Sequence, residues 1–246
     1  MIADWFRQLY DTRGLNFSVF YDRVDAITYL KGIQVSLELS VACIVLSVLI
    51  GIVGAFLQRS RLAAPRWLVA AYVNFFRNTP PLAQLYFFYF GLGSLLVSST
   101  GSAAGQEPLL DNFAWAVISM SLFAGAFNTE IFRSGIEAVP RATVEAAEAL
   151  GYSPFKAYVH VVLPLALRIS LPALNNNLVT MVKGTTLAYA IGVPELLTAS
   201  STIWGASVNI PEMMALLMVT FLAIVGALVF ILHCLERALR IPGYNR

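Results

Sequence analysis

Charge is the scarcest property of this sequence. Lysine, arginine, aspartate and glutamate make up 12% of its 246 residues, about half the share that a soluble domain carries. Net charge is +2 with no basic stripe, which gives nucleic-acid binding no support. There are two cysteines and two histidines. Cys43 and Cys234 sit inside apolar runs, so they are expected as small packing or lipid-facing residues rather than a disulfide. His160 and His233 form no metal-ligand pattern, and no metal site is expected. The phosphate loop G-x-x-x-x-G-K-[ST], the nucleophile elbow G-x-S-x-G and the H-E-x-x-H pair are all missing. If the chain moves solutes uphill with ATP, another chain must hydrolyse it.

What remains is hydrophobic: 58% of the residues, with a mean hydropathy of +0.72. The chain is expected to live in a bilayer. Residues 1–26 hold Asp4, Arg7, Asp11, Arg13, Asp22, Arg23 and Asp25 without a signal-type apolar core. They predict a short polar or amphipathic lead-in. A crossing helix needs about 20 apolar residues. Leu39–Gln58, extended toward Lys31, is the first span, and the Arg59, Arg61 and Arg66 cluster after it marks an internal end. Trp67–Val97 would reach about 46 Å as one helix, too long for a hydrocarbon core of about 30 Å. It contains a break at Arg77, Thr79 and Pro80, with Thr79 as N-cap and Pro80 in the first turn. This predicts an interfacial helix near 65–76 and a second span near 80–98. The third span is Phe113–Phe132, the fourth segment Leu165–Val193, and the fifth span Met213–Leu232. The loops after the second and fourth, the latter Pro194–Ile210, lack Lys and Arg and are expected outside. An internal C-terminus, at Glu236, Arg237, Arg240 and Arg246, puts the N-terminus outside. The fold class is all-α and polytopic, with about five crossings. The parts are a lead-in (1–26), a transmembrane domain (27–236) and a cytoplasmic tail (237–246).

The fourth segment holds Asn175, Asn176, Asn177, Lys183, Thr185 and Thr186. Charge at mid-bilayer costs about 2.5–3.5 kcal/mol on insertion scales, so this helix is expected to line a protein interface or a watery path. Asn176, Thr180 and Lys183 lie three or four residues apart and share a face. They are the candidate path residues, with Glu130 of the third span beside them. The three asparagines spread around the helix, so at least one should bond to a neighbouring helix.

Between the third and fourth spans the sequence changes character. Pro140 precedes a run of strong helix formers, RATVEAAEAL, and Gly151 ends it in the position of a left-handed cap. Ser153 and Pro154 then begin a second short helix, which Leu163 and Pro164 are expected to close. A helix of this length is marginal in water. Val144, Ala147, Ala146 and Ala149 offer a surface for another protein's groove, with Glu145 and Glu148 at the rim.

Glu145, Ala146, Ala147, Gly151, Val161, Leu163 and Pro164 fall on a pattern of E-A-A, three residues, Gly, nine residues, Val-x-Leu-Pro. That pattern resembles the signature of the integral membrane (permease) subunits of ABC importers. Further stretches resemble the polar amino acid branch: Arg77-Asn-Thr-Pro-Pro-Leu-Ala-Gln84, Glu130-Ile-Phe-Arg133, Gly135-Ile136, Val139-Pro140, Lys183-Gly-Thr-Thr-Leu187, Ile191-Gly-Val-Pro-Glu195 and Glu236-Arg237 to Ile241-Pro-Gly243. At Gly184 that branch often carries Asp or Asn. The resemblance implies a type I importer permease fold whose cytoplasmic coupling segment, 140–164, docks on an ATPase subunit. It implies a pair of permeases, same or sister, an ATPase dimer that holds ATP and Mg, and an external solute-binding protein. This chain would bind no cofactor, and the setting would be the bacterial inner membrane. The expected function is import of a polar amino acid or related opine. An ATP-independent channel or secondary transporter also fits polar-spotted spans but has no use for a capped docking helix. A membrane enzyme would need an acid–base cluster or nucleophile in the spans, and none has convincing spacing.

Overall fold

The lead-in folds into a helix, α1 (Ile2–Arg13), followed by a 3-10 turn at Ser18–Phe20. Its apolar side is used at once, Phe6 stacking on Phe20 with 4.3 Å between ring centroids. The computed structural model describes residues 2–98 and 107–238. The expectations placed on residues 99–106 of the loop after the second span, and on the tail with Arg240, Ile241–Gly243 and Arg246, lie outside the described residues.

Asp22 starts α2 (Arg23–Gln58) by accepting the amide protons of Val24 and Asp25 at 2.8 and 3.1 Å, which is N-cap chemistry. The helix therefore begins well before the apolar run that announces it. Next come α3 (Ala63–Asn78) and α4 (Pro81–Tyr86), the latter passing into a π turn at Phe87–Leu92. A two-residue antiparallel ladder pairs Val97–Ser98 with Glu107–Pro108. Then follow α5 (Asn112–Glu137), α6 (Arg141–Ala149) and α7 (Pro154–Ala157). A π turn at Tyr158–Val162 leads into α8 (Leu163–Gly184) and a 3-10 turn at Thr185–Ile191. The last helices are α9 (Leu196–Ser207) and α10 (Ile210–Ala238).

Four described stretches are long and apolar enough to cross a membrane: Arg23–Gln58, Asn112–Glu137, Pro154–Ile191 and Ile210–Ala238. With the helical stretch 81–92 this comes to about five, as expected. That stretch is shorter than the expected 80–98, with a rise of about 18 Å.

Two other expectations change. The segment Pro194–Ile210, expected as an external loop, is mostly the helix α9. Glu195 caps it, and it was missed because it is apolar yet too short to register as a span. Pro164 does not close a helix either. The π turn just before it carries the chain straight into α8. Proline lacks the amide proton and crowds the preceding turn of an α-helix, and a wider turn relieves both.

The chain divides into two compact units. One comprises Met1–Cys43, Pro81–Met120 and Val182–Gly226. Its core is Tyr29, Leu196, Ile203 and Met213. Ser36 Oγ accepts the Leu196 amide at 3.0 Å, and the Tyr29 and Thr220 hydroxyls lie 2.8 Å apart. Asn209 donates to the Asn16 carbonyl at 2.8 Å, and Glu212 accepts the Asn16 amide at 3.0 Å, so the lead-in is tied to the α9–α10 turn.

The other unit comprises Ile44–Pro80, Ser121–Met181 and Ala227–Arg246. Here α2 and α5 touch through glycine: a Cβ on Gly51 would lie 2.5 Å from Asn128 Cβ, and one on Gly54 would collide with Thr129. Gly135 of α5 is pressed in the same way against Ser170 and Ala166 of α8. Small residues let membrane helices approach closely where no hydrophobic force drives them together. Asn177 supplies the expected interhelical bond, donating to Asn128 Oδ1 at 2.8 Å and to the Ala124 carbonyl at 3.1 Å. Asn128 and Thr129 are fully buried, so they pack helices rather than meet solvent.

Candidate functional site

The segment 140–164 lies wholly in the second unit. Helix α6 has 9 residues and cannot stand by length alone. Two residues hold it. Ala147 is 6% exposed, and Val144 packs on the cluster of Val139, Val162 and Ala166. The groove-facing surface expected from Val144 and Ala147 is thus spent inside the chain. The opposite face is open: Glu145, Ala146, Glu148 and Ala149 are exposed. The correction follows from composition, because an alanine-rich helix has no hydrophobic contrast to reveal its inner side.

The end of α6 is closed by two paired bonds. The Gly151 amide donates to the Glu148 carbonyl at 2.9 Å and the Tyr152 amide to the Ala147 carbonyl at 3.1 Å. Gly151 has φ +89. This is the Schellman arrangement, which satisfies carbonyls that the helix end leaves open. Ser153 Oγ then accepts the Lys156 amide at 3.4 Å, with Pro154 at the head of α7. The two short helices project an apex carrying Leu150, 81% exposed, and Phe155, 76% exposed, with Tyr152 between them. Sequence reasoning missed these three. The signal was present as large apolar residues flanking a glycine cap, where nothing in a helical period could bury them. Val161 and Pro164 are half-buried and Leu163 is exposed. They belong to the π turn and the first turn of α8, away from the apex of α6.

The candidate path residues divide into two sets. Asn176, Thr180 and Lys183 follow one another along α8, all exposed. Thr180 Oγ1 donates to the Asn176 carbonyl at 2.9 Å. Asn176 also lines a hollow of about 260 Å³ with Asn175 and, from α10, His233 and Glu236. Glu130 is elsewhere engaged: Oε1 accepts from Gln58 Nε2 at 3.0 Å, and Oε2 accepts from Arg133 Nη2 at 2.7 Å. Arg133 in turn reaches Glu137 at 2.7 Å. Its carboxylate thus pins the end of α2 to α5.

At the break, Thr79 has extended torsions and ends α3, its hydroxyl donating to the Phe75 carbonyl at 2.8 Å. Helix α4 starts one residue later than expected, at Pro81 rather than Pro80. Arg77 lies over the Phe127 ring at 5.2 Å. No group of His, Cys, Asp and Glu able to hold a metal occurs among the described residues.

Comparison with known proteins bears on this arrangement. The family model of the binding-protein-dependent transport system inner membrane component matches residues 38–240. The arginine transport system permease protein ArtQ of Bacillus subtilis (strain 168) is 30% identical over 226 residues, covering 92% of this chain and 98% of the relative. The histidine/lysine/arginine/ornithine transport system permease protein HisM of Salmonella typhimurium is 34% identical over 179 residues, 72% of this chain and 74% of the relative. A crystal structure of an amino acid ABC transporter with histidines superposes with a TM-score of 0.76 at 25% identity, covering 87% of this chain and 94% of that one. With an apolar multi-span body and a capped helical apex already in place, these matches are decisive: the chain belongs to the inner membrane components of binding-protein-dependent transport systems, and is a multi-pass permease subunit of an ATP-driven importer whose ATPase activity lies in a separate subunit.

Proposed function

We propose that this permease passes a polar amino acid, or a related opine, across the bacterial inner membrane. Relatives named for arginine and for histidine, lysine, arginine and ornithine transport support that substrate class. The observation that carries the coupling half is the apex of 140–164. It is an exposed helix-turn-helix stiffened by a glycine cap, with Glu145, Ala146, Gly151, Leu150 and Phe155 facing out. This is the part that docks in a cleft of the ATPase subunit. Ala147 seats α6 from behind, while Val161, Leu163 and Pro164 relay its motion into α8.

Two permeases, of one or two kinds, stand on an ATPase dimer that binds Mg-ATP, and an external binding protein delivers solute. The apolar window of α10 has none of its residues buried within this chain, in keeping with a second permease or lipid against it. Asn176, Thr180 and Lys183 line the path. Glu130 and the break at Arg77, Thr79 and Pro80 shape the helices around it. The segment 27–236 forms the transmembrane domain, preceded by the lead-in 1–26 and followed by the tail 237–246. The N-terminus faces outward and the C-terminus the cytoplasm, as Arg59, Arg61 and Arg66 after α2 and Arg133 and Arg141 around the end of α5 favour. An ATP-independent channel would leave the family membership without a use.

The test is reconstitution. The permease, purified from its host, should bring down an ATPase subunit. In proteoliposomes with the cognate binding protein it should take up labelled arginine, histidine, glutamine, glutamate or an opine only when ATP is present. Uptake without ATP, or of none of these solutes, would overturn the reading. Alanine at Asn176, Thr180 and Lys183 should lower uptake or apparent affinity in at least one case, and three normal variants would remove the path assignment.

A further inference from the structure

Outside the coupling apex and the path candidates, the second unit holds an apolar groove of about 380 Å³ between α2, α5 and α8. Its floor is Ala55, Ala166 and Phe132, all buried. Phe56, 70% exposed, and Leu167, 43% exposed, stand on its two sides. The volume falls within the range of about 300–1,000 Å³ usual for small-molecule sites, yet the lining offers almost nothing to orient a polar solute. Ser170 Oγ already donates to the Ile131 carbonyl at 3.3 Å. At one end, the Arg59 guanidinium lies over the Tyr158 ring, 5.3 Å from its centroid. Tyr158 lines the groove. Arg59 is exposed, and no carboxylate pairs with it among the described residues.

An apolar trough on the flank of spanning helices, ending at an unpaired cation on the Arg-rich side, matches one class of molecule: an anionic phospholipid. Its acyl chain would lie along the one to two turns of α8 from Leu163 to Ser170, a rise of about 10 Å. Its phosphate would meet a guanidinium built for that geometry. The position matters because Tyr158 and Leu163, which bound the π turn, both line the groove.

We propose that this groove binds an anionic phospholipid of the inner leaflet, phosphate on Arg59, and that the bound chain braces the joint through which the coupling segment drives α8. The binding half rests only on membrane residence, and the bracing half rests on the importer reading given above.

The experiment uses the complete transporter from its native host, released in mild detergent and titrated with phosphatidylglycerol or phosphatidylethanolamine under native mass spectrometry. The wild type should retain phosphatidylglycerol in preference to phosphatidylethanolamine. Arg59→Gln should abolish that preference and lower retention several-fold. Leu167→Trp, which fills the groove, should lower retention of both lipids, and Val53→Trp on the exposed rim serves if that variant fails to assemble. In vesicles of phosphatidylethanolamine, added phosphatidylglycerol should raise binding-protein-stimulated ATP hydrolysis in the wild type and in neither variant. Equal retention of the two lipids in wild type and variants overturns the site. So does near-complete cross-linking of a cysteine at Phe56 to a second permease, which would make the occupant protein. Selective retention with ATP hydrolysis indifferent to lipid overturns the bracing role while the importer reading stands.

Discussion

A Cβ at position 151 would meet no atom within 4 Å, so any penalty for replacing Gly151 comes from its torsion of φ +89 and not from crowding. Left-handed backbone costs an L-residue about 1–2 kcal/mol, least for Asn and most for a β-branched side chain. Gly151→Val should lower uptake and transport-linked ATP hydrolysis together while membrane insertion, followed by protease protection, stays normal. Gly151→Asn should keep most of both, and a Val variant with full coupled activity would refute the cap's role. The glycine was legible because it follows an unbroken run of helix formers. The inward turn of Ala147 was not, since its neighbours are equally small. Glu195 makes a second residue-scale case. It is fully buried in the turn before α9. Burial raises its carboxyl pKa, and bonds from the Leu197 and Thr198 amides and the Thr198 and Ser36 hydroxyls pull it back. The folded chain therefore holds a proton at pH values where the unfolded chain has lost it. That stability is complete below the unfolded value of about 4.5 and drains away as pH rises through the raised native value. Melting temperatures should fall for the wild type as pH is raised above about 4.5 and stay flatter for Glu195→Gln.

Among the elements, α2 and α5 lean on each other through Gly51 and Gly54 against Asn128 and Thr129. Gly54→Ala forces a methyl into Thr129, and overpacking of this kind costs about 1–3 kcal/mol. A drop of several degrees in detergent is expected, with partial recovery in the double variant Gly54→Ala/Thr129→Ala. An additive loss in the double variant would mean that the two side chains do not meet. Nothing in the sequence marks these glycines as a helix contact, because a buried Asn-Thr pair looks polar in a linear scan. Hydropathy likewise found where the spans lie and misjudged their lengths. Helix α2 reaches back to Arg23 through residues too polar to count as membrane, held there by the Asp22 cap.

At the scale of the whole molecule, the scarcity of charge and the siting of arginines carried the fold class, and the missing phosphate loop carried the division of labour. Purified permease should hydrolyse no ATP. The complex with its ATPase subunit should do so at a basal rate that rises when substrate-loaded binding protein is added. ATP hydrolysis by the permease alone, with the partner's absence verified by mass spectrometry, would contradict the assignment. The groove beside Tyr158 could not be read in advance, and the apex of Leu150, Tyr152 and Phe155 was signalled only by large apolar residues around a glycine cap. Both depend on which sides of short helices are consumed by packing, and that is settled only when the elements meet.

The π turn at Tyr158–Val162 also bears on insertions and deletions. It wraps one residue more than an α turn would. Losing a residue from a membrane span normally rotates everything beyond it by about 100° and unmakes its packing. Here the spare residue can be given up: deletion of Val159, with Pro164→Ala to restore the missing amide, should leave one regular helix from α7 into α8. Such a protein should still fold and insert, with the coupling apex kept at its present angle to α8, and it should retain most of its uptake. If the deletion blocks insertion, as measured by membrane fractionation, the extra residue is required by the fold itself.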